Sequence, residues 1–182
     1  MPRDILFNHG NARFSYRISA LIVQNGRVLL QRPPGTNDFA FIGGHVEFGE
    51  TAKDTLIREI REEIHTDAVV GDLAAVGEVF IDWGHLPDGT PRHCHQIGLY
   101  FYVTVDEDQL PGTDRFFGYD ELGSERYTLE YIWMPLSELK EKIEAQTMIV
   151  YPPQAMEHLL SGSRDVLHFT YSELPQDARW LD

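Results

Sequence analysis

The chain has 182 residues, 42% of them apolar and 12% aromatic, which is enough to bury one good core, and we expect a single domain over residues 1–182. Its formal charge of −14 excludes a nonspecific grip on a nucleic acid polymer, which needs a lysine and arginine surface, yet it admits a small phosphorylated substrate if divalent cations stand between the two sets of negative charge. No run approaches the roughly eighteen apolar residues of a membrane span, and Cys94 is the one cysteine, so no intrachain disulfide can form; we expect a soluble, cytoplasmic protein.

Ile18 to Val23 and Val28 to Gln31 are apolar runs joined by Gln24-Asn25-Gly26-Arg27, and Asn-Gly between such runs is the strongest short hairpin signal. Pro33 to Asp38 reads as a loop and Phe39 to Ile42 as a short apolar run ended by Gly43-Gly44. Residues 52 to 64 read as a helix. Leu73 to Trp83 and Gln96 to Val105 are rich in β-branched and aromatic residues and read as strands, as does Tyr127 to Trp133. Ser137 is placed as the N-cap of a helix reaching about Ala145, Pro153 opens another to Leu160, and Val166 to Tyr171 reads as a last short strand. Few helices against many strands predict a mixed sheet with helices on its faces.

The helix at 52–64 carries the chemistry. Thr51 is a good N-cap, with Asp54 three residues on. At ~100° per residue, Leu56, Ile57, Ile60 and Ile64 share one arc, Glu59, Glu62 and Glu63 a neighbouring one, and Arg58 and Arg61 the remainder. Like charges at this spacing cost ~0.2–0.5 kcal/mol per pair even in solvent. A hard divalent cation reverses that sign, since magnesium takes oxygen ligands and bridges carboxylates to phosphates. The bland alternative is a solvated acidic face with Arg58–Glu62 as a surface pair. The segment Gly43-Gly44-His45-Val46-Glu47-Phe48-Gly49-Glu50 just before the helix favours the metal, because its glycines allow close backbone approach to a ligand.

Together these residues resemble the Nudix signature: Gly, five residues, Glu, seven residues, Arg-Glu, an aliphatic, any residue, Glu-Glu, any residue, Gly, an aliphatic. Here it reads Gly44, Glu50, Arg58-Glu59-Ile60-Arg61-Glu62-Glu63-Ile64, His65, Thr66. The last two positions depart from it: His65 stands for the glycine, and we expect it in a left-handed C-cap at ~1 kcal/mol, while Thr66 gives up an aliphatic contact. The resemblance implies an α/β (α+β) fold of the α/β/α sandwich kind, with a mixed β-sheet between helices. It implies a magnesium-dependent hydrolase, with manganese as the alternative ion. Its substrate would be a small molecule in which a nucleoside diphosphate is linked to another group, such as ADP-ribose or a sugar nucleotide, or a nucleoside triphosphate.

Residue by residue, the resemblance implies Glu59 and Glu63 as metal ligands, Glu62 as ligand or base, and the Gly43 carbonyl as a further ligand. It implies Arg58 and Glu50 as the network that orients the carboxylates, and Arg32 as a contact to substrate phosphate. One more glutamate is expected from a later loop, with Glu125 preferred over Glu121 and Glu130. A homodimer is implied by likeness alone. Two other function classes compete: a Nudix-like sensor that binds nucleotide or sugar phosphates without cleaving them, and a diphosphate isomerase using Cys94 as its catalytic cysteine. The complete set of signature glutamates favours hydrolysis over the sensor, and Cys94 lies in an unpromising His-rich loop, which ranks the isomerase last. His85, His93, Cys94 and His95 show no second ligand pair at zinc spacing, and Phe80, Trp83, Tyr100 and Tyr102, being on strands, read as core in preference to a stacking surface.

Overall fold

A computed structural model describes residues 3–122, 125–175, 178 and 180, and of residues 121, 122 and 125 the backbone alone. The chain runs β1 (Leu6–His9), β2 (Ala12–Gln24), β3 (Arg27–Arg32), β4 (Asp38–Ala40), α1 (Ala52–Ile64), β5 (Ala68–His85) and β6 (Pro91–Val105). After a short 3-10 turn at Glu107–Gln109 come β7 (Arg115–Leu122), β8 (Glu125–Pro135), α2 (Leu136–Glu144), β9 (Ile149–Tyr151), α3 (Pro153–Ser161) and β10 (Leu167–Ser172).

The Asn25-Gly26 turn joins β2 to β3 as expected: Asn25 and Gly26 sit at φ 52° and 73°, the positive pair that suits the twist of a tight hairpin. The strands make one mixed sheet in the order β10-β5-β6-β2-β3-β4-β9, with β8 on β3 and β7 on β8. The β10/β5, β2/β6 and β4/β9 pairs are parallel, and the others antiparallel. Strand alternation sends one set of side chains to each face. Ile18, Ile22, Leu29 and Phe101 join Leu56, Ile60 and Ile64 of α1 in one core. Leu21, Val28, Leu30 and Phe169 join Leu139 of α2 and Met156 of α3 in the other. Helices thus cover both faces, which is the expected α/β/α sandwich. Each fully buried aliphatic contributes ~1.5–3 kcal/mol of transfer free energy.

Six elements depart from what the sequence predicts. β8 continues straight into α2, so Pro135 takes the cap position without a side-chain hydrogen bond and Ser137 lies inside the first turn. The strands β5 and β6 extend well past their apolar stretches, because 18- and 15-residue partners pair over nearly their whole length. β1, β7 and β9 are short or polar and lack a period-two signal of their own.

The glycine-rich loop is laid along β2 like an extra strand. Ile18 N–H donates to Gly44 O at 2.9 Å, Ala20 N–H to Ile42 O at 2.8 Å and Val46 N–H to Tyr16 O at 3.0 Å. That docking fixes where α1 begins.

Candidate active site

The start of α1 is held by a capping box: Asp54 N–H donates to Thr51 Oγ1 at 3.2 Å, and Asp54 Oδ2 accepts from Thr51 N–H at 3.4 Å. Leu56, Ile60 and Ile64 anchor the helix on the sheet, and this rotation carries Glu59 and Glu63 into the protein while Glu62 stays 60% exposed. Glu63 is 2% exposed, with Tyr131 Oη donating to its Oε2 at 2.8 Å. Its other oxygen, Oε1, is buried with no partner among the described residues.

Asp120 of β7 completes the group. One oxygen from each of Glu59, Glu63 and Asp120 lies within 4.8 Å of the other two. The approach depends on Gly118, where a Cβ would strike the Glu63 carbonyl oxygen and the Tyr131 ring. A side chain there would push β7, and Asp120 with it, away from the helix. Gly44 does the same on the other side: a Cβ would fall on the Glu59 carboxylate.

Burial pushes the Glu59 carboxyl up to about 7, against the pull of the neighbouring Arg58 and with Asp120 adding to the rise. Burial and Asp120 push Glu63 further, well above the usual carboxylate range. Three mutually repelling carboxylates, one with an orphaned buried oxygen, match the oxygen-ligand shell of a hard divalent cation, so these residues fit a metal.

Arg58 ties the rest together. Its guanidinium donates to Glu50 Oε1 at 3.1 Å, to Glu59 Oε1 at 3.0 Å, to Glu62 Oε2 at 3.1 Å and to the His45 carbonyl at 3.4 Å. Burial works against this cation, but the carboxylates outweigh it and hold it protonated. Glu50 is held below the usual range, first by its hydrogen bonds from Arg58 and also by the Thr55 hydroxyl at 2.8 Å. The Gly43 carbonyl accepts from Arg17 Nη2 at 3.0 Å. Arg17, Arg58, Glu59, Glu62, Glu63 and Asp120 border a cavity of about 730 Å³, which Trp83, Tyr119 and Arg126 also line.

The structure therefore brings Glu50, Arg58, Glu59, Glu62, Glu63 and the Gly43 loop together. Arg32 lies elsewhere. It donates to Glu130 Oε2 at 2.7 Å and to Thr36 O at 2.8 Å, stacks over Phe39, and borders a separate cavity of about 160 Å³. Strand alternation explains this: Arg32 follows Val28 and Leu30 to the α2/α3 face, opposite α1. Glu130, one of the expected later glutamates, pairs there with Arg32 and Arg115. The side chains of Glu121 and Glu125 lie outside the described residues. Cys94 is buried and burial pushes its thiol up to about 11, the condition of an inert structural cysteine. Among the described residues the carboxylate trio is the one metal-like group, so the histidines around Cys94 do not converge on a third ligand. Tyr100 is core, whereas Trp83 is half-buried and borders the cavity.

The sequence reading missed Asp120. Gly118, alone in an otherwise bulky Phe116-Phe117-Gly118-Tyr119 stretch, is the signal that could have found it, since an isolated strand glycine marks close backbone approach.

Comparison with known proteins bears on the same residues. The family model described as NUDIX domain matches residues 14–152. The CTP pyrophosphohydrolase of Escherichia coli (strain K12) is 34% identical over 93 residues, covering 43% of this chain and 69% of that protein. The putative mutator protein MutT4 of Mycobacterium tuberculosis (strain CDC 1551 / Oshkosh) is 32% identical over 100 residues, covering 55% of this chain but 34% of that longer protein. Among solved structures, an ADP-ribose pyrophosphatase from Streptococcus suis 89-1591 superposes with a TM-score of 0.50 at 15% identity, covering 87% of this chain and 98% of the other. A NUDIX hydrolase from Nitrosomonas europaea does so with a TM-score of 0.50 at 23% identity, covering 82% and 90%. At such identities the solved structures speak for the fold alone.

Proposed function

The chain belongs to the NUDIX domain family, and on that premise we propose that it is a magnesium-dependent diphosphohydrolase acting on a nucleoside diphosphate linked to a further group, or on a nucleoside triphosphate. It is an enzyme of the pyrophosphatase kind. The observation that carries the metal-dependent reading is the trio of Glu59, Glu63 and Asp120 with the unpartnered Oε1 of Glu63.

Glu59, Glu63 and Asp120 would hold the metal, which when bound lowers the pKa of a water and neutralises charge on the departing phosphate. Manganese suits the same oxygen donors. Water adds to one phosphorus of the anhydride, the bond to the bridging oxygen breaks, and the exposed carboxylate of Glu62 takes the proton, a contribution worth ~10²–10⁴-fold. Arg58 and Glu50 keep Glu59 and Glu62 in place, acting as positioning residues. Arg17 and Arg126, bordering the cavity, supply positive charge to the diphosphate.

The reading extends to residues 1–182 acting as one domain, to a cytoplasmic enzyme, on its one buried cysteine, and to a homodimer, on family likeness. No helix among the described residues is long and apolar enough to cross a membrane.

The test is turnover of a panel of nucleoside triphosphates, sugar nucleotides and ADP-ribose with magnesium in oxygen-labelled water, read by mass spectrometry. Hydrolysis that falls by orders of magnitude in Glu62→Gln and Glu63→Gln supports the proposal. Near-normal magnesium-dependent hydrolysis in both variants overturns the assignment, and tight binding without turnover in the parent makes the protein a sensor instead.

A further inference from the structure

A second cavity, of about 300 Å³, opens beside the first and shares two of its residues, Arg17 and Trp83. It exists because the sheet curls until its two ends meet. Tyr151 of β9 and Tyr171 of β10 stand at opposite ends of the strand order, yet their rings contact edge to face with centroids 6.3 Å apart. Phe41 and Tyr100 contact in the same way at 6.2 Å and line the wall between them. A slot walled by aromatic rings and only a few hundred cubic ångströms in volume suits a flat ring.

Its polar groups are few and placed to read an edge. Gln96 borders the slot with its side chain largely buried, and its amide makes no hydrogen bond among the described residues. Glu173 lies at the rim, accepting from Tyr171 Oη at 2.8 Å through one oxygen and leaving the other to a ligand. An amide offers a donor and an acceptor side by side, and a carboxylate only accepts, a combination that suits an exocyclic amino group next to a ring nitrogen. Arg17 stands where the two cavities meet. It makes no ion pair among the described residues, and its charge bears on both Glu63 on one side and Tyr100 on the other.

We propose that this aromatic slot seats the base of the nucleotide, that Glu173, with Gln96 beside it, sets a preference for amino-bearing bases of the adenine and cytosine type over uracil, and that Arg17 grips the phosphates passing from the slot to the carboxylates. The inference rests on the diphosphohydrolase reading for the identity of the substrate, but not for its test.

Calorimetric titration with AMP, CMP and UMP needs no hydrolysis. The parent protein binds AMP and CMP more tightly than UMP. Tyr171→Ala weakens all three by ~5- to 150-fold, the value of one base stacked on an aromatic ring. Glu173→Gln, close to isosteric and able to turn either end of its amide to the base, erases the preference and leaves the fold intact. In turnover assays both variants raise KM for nucleotides with kcat held within about threefold, which a general loss of structure would not do. Ser19→Leu, which fills the slot from β2 without removing any charged group, serves as the second obstruction and weakens binding likewise. If the parent binds no mononucleotide, or if Tyr119→Ala weakens binding while Tyr171→Ala and Ser19→Leu do not, the slot is not the base site. A parent that binds bases in this pattern but cleaves no anhydride sinks the hydrolase reading alone.

Discussion

Gly44 and the carboxylate of Glu59 occupy adjoining space, so that a single added carbon at residue 44 would coincide with the carboxylate. Gly44 holds no positive φ. Its lack of a side chain therefore serves the acid next to it rather than its own backbone. Gly44→Ala is expected to keep the fold, because the clash falls on the movable end of a side chain and alanine restricts the unfolded chain by ~0.4–1 kcal/mol. Turnover is expected to fall ~10²-fold, the scale of a misplaced catalytic group. Thermal unfolding beside steady-state kinetics checks this; a stable variant with parental kinetics would separate Gly44 from Glu59.

Without metal, the buried acids make stability depend on pH in an unusual direction. Burial holds Glu59 up at about 7 and Glu63 well above the ordinary value near 4.5. The folded state therefore holds protons that the unfolded state has released, and the contribution, complete below about pH 4.5, is lost as pH rises through the folded values. His45 has the opposite sign: burial, with Arg17 and Arg13, lowers it to about 3, so its contribution is present above about pH 6.5 and declines below. The clean window thus opens above about pH 6.5 and takes in the Glu59 value of about 7. There the melting temperature of chelator-treated protein is expected to fall with rising pH, and to recover on adding magnesium by mass action. Glu63→Gln should flatten the slope. A rising or flat profile in the parent would contradict the burial of these two acids.

Tyr131→Phe removes the one hydrogen bond that the Glu63 carboxylate receives among the described residues, at 2.8 Å in a buried setting. The ring, stacked on Phe116 with centroids 5.4 Å apart, keeps its packing. Loss of such a supporting bond is expected to weaken metal affinity ~10- to 100-fold and stability by ~1–2 kcal/mol. Manganese titration followed by calorimetry measures the first effect and denaturant unfolding the second. Unchanged affinity would mean that Tyr131 packs against Glu63 without orienting it.

Much of this was legible in the sequence because it is local. The capping box at Thr51, the Asn25-Gly26 hairpin and the three-sector wheel of α1 all follow from residues a few positions apart, and each appears in the structure. What was not legible depends on register between distant strands. Asp120 reaches Glu63 only because β7 pairs with β8 so that Asp120 faces Tyr127 and Gly118 faces Leu129. The later acid expected beside the helix is a glutamate, Glu125 before Glu121 and Glu130, and apart from Gly118 nothing local to the sequence points to an aspartate on the same hairpin. Arg32, at the end of the second strand, is expected at the substrate phosphate by resemblance, yet strand alternation puts it with Val28 and Leu30 on the α2/α3 side of the sheet. Trp83 read as core because strand aromatics usually are, whereas the curl of the sheet opens a cavity on each side of it.

His65 ends α1 at φ 58° and ψ 36°, the left-handed conformation that its position in the signature reserves for glycine. For a residue with a Cβ that conformation costs ~1 kcal/mol, and the exposed ring recovers part of it through Nδ1 against the Arg61 carbonyl at 3.1 Å. The backbone N–H of residue 65 already bonds that same carbonyl at 3.2 Å, so the ring adds a second contact to a satisfied group. His65→Gly should therefore stabilise the protein by ~0.5–1 kcal/mol, raising the melting temperature by ~1–4 °C for a chain of this size. Thr66 next to it needs no such repair. It is buried, and its hydroxyl donates to the Asp106 carbonyl at 2.7 Å, so the aliphatic contact it forgoes is offset by a hydrogen bond. Because His65 touches none of the three carboxylates that would hold the metal, kcat/KM should stay within about twofold of the parent. A lower melting temperature in His65→Gly would show that the ring contributes more than the strain costs.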